Sequence, residues 1–229
     1  HAFYECTSLT SIIINNGVEN IEYYAFYGCT GLNDIIIPNN VTTISPNAFS
    51  GCTELSATWH YNYSLTASNL NLTDYLTAVD FEGVSQISDS AFQNCTRLTD
   101  ITIPNGVTSI GQTAFYGCTE LVEIIIPDSV ETIGEGAFEN CTSLTDIILP
   151  DSVESIGEYG FFGCTGLNEI TIPDSVESIE TSAFQNCVNL ETVSIHRPSS
   201  SDITTLGINA FNGTDLLAIF VPDLASQMA

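Results

Sequence analysis

Eight cysteines fall at positions 6, 29, 52, 95, 118, 141, 164 and 187. Thiols at this density can form disulfides, hold a metal or act as nucleophiles, and their spacing decides among these chemistries. Every gap is 23 residues except the one from Cys52 to Cys95, which is 43. Zinc sites want closely clustered cysteine pairs, and none occurs. Equal spacing instead marks one position of a repeated unit. In a stack of such units neighbouring thiols point in parallel, so a disulfide torsion near about 90° is hard to reach. The expectation is a column of reduced, buried thiols that pack as small hydrophobes. A buried thiol far from any cation is a poor nucleophile.

The acids repeat as well. Asp100, Glu123, Asp146 and Glu169 share one position of the unit, Asp128, Asp151 and Asp174 a second, and Glu131, Glu154 and Glu177 a third. Carboxylates stacked about 5 Å apart repel by roughly 0.8 kcal/mol per pair even in bulk water. The chain holds 28 Asp and Glu against two Lys and Arg, a net charge of −26. Two readings stand: a solvated acidic face, or weak cation sites along the first two columns, with calcium the candidate because it takes several carboxylate oxygens. No EF-hand loop is present. The charge excludes nucleic acid, whose phosphates demand Lys and Arg, and anionic membrane surfaces. The longest apolar run, Leu216 to Val221, is six residues, far short of the roughly 20 a membrane helix needs.

Catalytic sets are poorly supported. The histidines are His1 at the terminus, His60 beside the single Trp, and His196 at an insertion. None is placed with a serine or cysteine as a nucleophile would require. Periodic acids without an aromatic-lined cleft do not suggest a glycosidase. Glycosylation sequons are numerous, and Asn62 and Asn71, in an irregular stretch, are the better candidates if the chain is secreted. It opens at His1 rather than Met and shows no signal peptide, as a mature or trimmed fragment would.

The elements that position these residues follow from one unit, "LVEIIIPDSVETIGEGAFENCTS", Leu121 to Ser143. Ile124 and Ile126 alternate with polar or outward residues, as in a short strand. Pro127 ends the ladder because it has no N–H to donate. Val130 and Ile133 return to the interior. Ala137, Phe138 and Cys141 suit a tight turn or 3₁₀ piece, and Asn140, or glycine in other copies, permits a positive φ. One unit cannot bury its own apolar face, whereas stacked units can, which makes a solenoid.

The pattern L-x-x-I-x-I-P-x-x-V-x-x-I-x-x-x-A-F-x-x-C, carried by Leu121, Ile124, Ile126, Pro127, Val130, Ile133, Ala137, Phe138 and Cys141, resembles the BspA-like class of leucine-rich repeats. The resemblance implies a curved, non-catalytic solenoid on the cell surface or secreted, of the kind associated with adhesion to host matrix proteins and to other cells. The expected architecture is a single leucine-rich-repeat solenoid over 1–229, with a parallel β-sheet on the concave face and short 3₁₀ or turn segments on the convex side. About ten repeats are expected, with an irregular repeat near 56–80 and an insertion near 196–202.

In this register the outward residues of the concave strands are Ile13, Ile36, Trp59, Thr102, Ile125, Ile148, Thr171 and Ser194. A row of apolar groups with an acidic border suits a basic protein partner or extracellular matrix. Strand propensity alone would also favour Ile and Thr at these positions. A structural alternative is a filament or surface layer assembled through solenoid ends, whose strand edges are open.

Overall fold

A computed structural model describes residues 2–61, 65–81, 83–195 and 205–220 of the protein. The insertion near 196–202, His1, His196 and Asn62 lie outside the described residues.

The chain winds as a parallel solenoid without helices among the described residues. Its first ladder contains the strands Ser11–Ile12, Asp34–Ile37, Ser56–Tyr61, Leu76–Phe81, Asp100–Thr102, Glu123–Ile125, Asp146–Ile147, Glu169–Ile172, Thr192–Ile195 and Ala218–Phe220. They fall into parallel sheets of four, three and three strands, and every pairing among the described residues is parallel. The strands are short because Pro38, Pro104, Pro127, Pro150 or Pro173 follows soon after and cannot donate to the ladder. Each proline carbonyl then accepts the N–H three residues on, as Pro127 does from Val130 at 3.1 Å, and the chain turns inward again.

A second ladder of two-residue strands follows, including Ser109–Ile110, Thr132–Ile133 and Ser155–Ile156. Eight turns carry both strands among the described residues. The convex side is built from tight turns: the N–H of Ala137 bonds the carbonyl of Gly134, and that of Cys141 bonds Phe138. No 3₁₀ helix forms among the described residues, because a left-handed residue interrupts each run, Gly136 at φ 57 and Asn140 at φ 60.

The interior is a set of columns, one residue per turn. Leu121, Ile124, Ile126, Val130, Ile133, Ala137, Phe138 and Cys141 are all buried, as are their equivalents in the neighbouring turns. Phe92, Phe115, Phe138, Phe161, Phe184 and Phe211 stack nearly parallel with ring centroids 5.1–5.3 Å apart. Hydrogen-bonded strands lie closer, about 4.8 Å apart. The turn side is therefore the wider one and the strand face curves inward.

The irregular turn departs from this plan in a defined way. Most turns read L-x-x-I at the strand entrance, but here Leu55 is followed by Ser56-Ala57, one residue fewer. Asp34 consequently pairs with Ser56, and Ile37, not Ile36, pairs with Trp59. A one-residue slip turns each side chain to the other face. Trp59 is therefore fully buried, which corrects its expected place on the outer row. Trp59, Tyr61 and Phe81 pack around Phe92 at centroid distances of 6.0, 5.2 and 6.1 Å. They occupy the space beside Ala67, whose N–H makes the bond to Ala91 that a phenylalanine N–H makes elsewhere.

Candidate binding face

Alternation along each strand sets the outer row. In Asp34–Ile37 and Glu169–Ile172 the residues run exposed, buried, exposed, buried. Ile13 is 88% exposed, Ile36 54%, Ile125 52% and Ile148 81%. Thr102 and Thr171 are also exposed, and Ser194 is half-buried. Register brings Thr102 against Ile125 and Thr171 against Ser194. At the irregular strand the outward residues are Thr58 and His60, which a fixed 23-residue count missed; the signal that could have found them is the shorter entrance Leu55-Ser56-Ala57. Nε2 of His60 lies 3.5 Å from the Asp80 carboxylate, an ion pair only when the imidazole is protonated.

The acids border this row. Asp100, Glu123 and Asp146 are direct register neighbours, and Asp100, Glu123 and Glu169 are exposed. Asp128, Asp151 and Asp174 are exposed beyond the strand ends, as are Glu131, Glu154 and Glu177. Among the described residues no three Asp, Glu, His or Cys side chains converge closely enough to hold a metal ion. Parallel strands keep the carboxylates of a column side by side, whereas calcium wants several oxygens around one point. One acid has a shifted affinity for protons: burial, with Glu135 beside it, raises the Glu139 carboxyl above its ordinary value.

The thiols do a structural task. The Sγ of Cys141 donates to the carbonyl of Phe115 at 3.1 Å, Cys164 to Phe138 at 3.0 Å and Cys187 to Phe161 at 3.0 Å. All eight cysteines are free. Burial pushes the Cys118 thiol up to about 12 and Cys52 to about 11, and it raises Cys141 and Cys164 well above the ordinary value. Such thiols are not nucleophiles at neutral pH. The glycosylation candidate Asn71 donates its Nδ2, the atom a glycan would occupy, to the carbonyl of Ile44 at 2.7 Å.

No helix among the described residues is long and apolar enough to cross a membrane. A family profile described as BspA type leucine rich repeat region matches residues 1–70 and 85–217 in six copies. Solved structures similar to this chain include three leucine-rich proteins or antigens of bacteria. A leucine rich cell surface protein from Faecalibacterium prausnitzii is 25% identical, with 96% of this chain and 81% of that one covered and a TM-score of 0.51. A leucine-rich repeat protein from Bacteroides ovatus is 22% identical over 97% of this chain and 86% of that one, with a TM-score of 0.53. The pneumococcal vaccine antigen PcpA is 19% identical over 96% of this chain and 75% of that one, with a TM-score of 0.56. No curated protein matches the chain.

Proposed function

Because the chain belongs to the BspA-type leucine-rich repeat family, we propose that it is a non-catalytic, extracellular or cell-surface interaction module that binds a basic protein partner through its concave strand face, in an adhesive role. The observation that carries this reading is the row Ile13, Ile36, Ile125 and Ile148, large apolar groups left in water by strands whose other face already fills the core. Strand propensity would be served equally by Thr, as at Thr102 and Thr171, so isoleucine here adds apolar surface that folding does not use. A curved solenoid presents such a row as one extended surface. The acid columns beside it would steer a cationic partner, with an on-rate that falls as salt rises. The likeness to a structure described as a cell surface protein supports the location.

The test is Ile125→Ser with Ile148→Ser against wild type on immobilised basic matrix proteins, with circular dichroism as the control for folding. Truncating an apolar side chain at the centre of an interface typically costs about 1 kcal/mol or more, so the double variant should bind about tenfold or more weakly. Equal binding by the folded variant would remove the strand face as the site.

A further inference from the structure

The turn side of the solenoid has a ladder of its own, and it runs one way. In a regular turn three alternate N–H groups point at carbonyls of the following turn. Thr113, Phe115 and Gly117 donate to Glu135, Ala137 and Glu139, each at 2.8 Å. Near the start, Phe26 and Gly28 donate to Ala48 and Ser50 at 2.9 and 2.8 Å. One turn on, the equivalent donors are Asn47, Phe49 and Gly51, and no group among the described residues accepts from them. The following turn is the irregular one. It reaches back with side chains instead of main chain: Asn71 Nδ2 to the carbonyl of Ile44, and the Tyr75 hydroxyl to the carbonyl of Phe49 at 3.4 Å. Main-chain pairing resumes at Ala67, which donates to Ala91 at 2.8 Å. Between the two turns lies a cavity of about 280 Å³, lined by Asn47, Phe49, Asn71, Asp74 and Tyr75 among others. Gly51 borders an adjoining hollow shared with Asp74, Tyr75 and Arg97.

We propose that this edge is a second binding site, which takes an extended peptide segment of a partner protein bearing lysine or arginine. Asn47 and Gly51 are exposed, so water serves these donors until a better-placed acceptor replaces it. Three on one edge call for a ligand that presents a row of acceptor oxygens at alternate positions. The carbonyls of an extended peptide do this on one side, which is how strands add to open ladders. A free anion would also accept from N–H groups. It would, however, meet the exposed Asp74 and a chain of net charge −26. Neutral carbonyls with cationic side chains avoid that repulsion and pair with Asp74. Tyr4, Tyr24 and Tyr27 line the neighbouring hollow together with Asn47. Their rings can take the aliphatic stems and charged ends of those side chains. The site is on the turn side and is independent of the isoleucine row.

Amide hydrogen exchange followed by NMR on the whole chain tests this, with an acetylated, amidated heptapeptide of alternating Lys and Thr as the probe. In the free protein Asn47, Phe49 and Gly51 should exchange about 100-fold or more faster than Thr113, Phe115 and Gly117. The peptide at millimolar concentration should slow the first three about tenfold or more. Asp74→Asn should weaken that protection, while Ile125→Ser with Ile148→Ser should leave it unchanged, so the two binding sites stand or fall separately. Slow exchange of the three amides without peptide, or fast exchange in its presence, would overturn the proposal. Equal protection by the same peptide with Glu in place of Lys would overturn it too, in favour of an anion site.

Discussion

At the scale of single residues the cysteine column illustrates why one residue type recurs. The position must be small, apolar and able to donate one hydrogen bond to a phenylalanine carbonyl a turn earlier, as Cys164 does to Phe138. Where cysteine is replaced, in the irregular turn, Tyr75 supplies the donor through its hydroxyl to Phe49. Cys164→Ala should therefore cost about 1 kcal/mol beyond its lost packing, read as a drop of a few degrees in Tm. Thiol titration should find few reactive groups in the native protein and eight after denaturation. A native protein that reacts fully would contradict the buried column. From the fourth cysteine on, the residue before it alternates, Asn94, Gly117, Asn140, Gly163, Asn186, and Gly213 continues the series before Thr214. A Cβ at Gly117 or Gly163 would meet Oδ1 of the asparagine a turn back at 2.5 or 2.6 Å. Glu139 has a carboxyl raised by burial and by Glu135. A raised folded-state value means stability that is complete below the unfolded value and is lost as pH rises through the raised one. Glu139→Gln should gain Tm relative to wild type at pH 7, about two units or more above the ordinary value, and lose that gain near pH 4. A difference in Tm that is constant from pH 4 to 7, or larger at the acid end, would refute the shift.

At the scale of elements the irregular turn is the informative one. Ser56–Tyr61 pairs with Asp34–Ile37 and with Leu76–Phe81, but both ladders break at this turn: among the described residues Leu76–Phe81 does not pair on to Asp100–Thr102, and the second sheet splits into a two-stranded and a six-stranded part. Its stability rests on the aromatic group of Trp59, Tyr61 and Phe81 against Phe92. The Ser88 N–H donates to the Tyr61 hydroxyl at 3.0 Å. The Trp59 Nε1 is buried and has no acceptor among the described residues, so its role is volume. Trp59→Ala should destabilise by roughly 3–5 kcal/mol, about 10 °C or more in Tm, and denaturation should report it directly. Loss of partner binding without loss of stability would instead return Trp59 to the surface. Arg97 adds a tether across this turn, its Nη1 donating to the carbonyl of Leu55 at 2.5 Å.

At the scale of the whole molecule, self-repulsion from a net charge of −26 is set against a continuous apolar core. Two cationic side chains cannot neutralise it, so the relief is solvent and salt. Raising sodium chloride from about 10 mM to about 500 mM shortens the Debye length from roughly 30 Å to under 5 Å and should raise Tm by several degrees. Millimolar calcium should add no more than its ionic strength, since no three carboxylates converge among the described residues. A calcium effect well beyond that of sodium at matched ionic strength would show that the acid columns do gather around a cation.

Periodicity alone determined the columns. A 23-residue repeat with Leu, Ile, Val, Phe and Cys at constant positions can bury those residues only by stacking, so the solenoid, its parallel strands and its core were legible from the chain. Ile13, Ile36, Ile125 and Ile148 were legible as outward for the same reason. The tertiary structure decided where the period fails. Trp59 moved from the surface to the core because a single residue is missing between Leu55 and Ala57, and alternation converts a count of one into a change of face. It also decided which main-chain groups find partners. The donors at Asn47, Phe49 and Gly51 depend on how the next turn is placed in space, which repeat spacing cannot express where the repeat itself departs from its period.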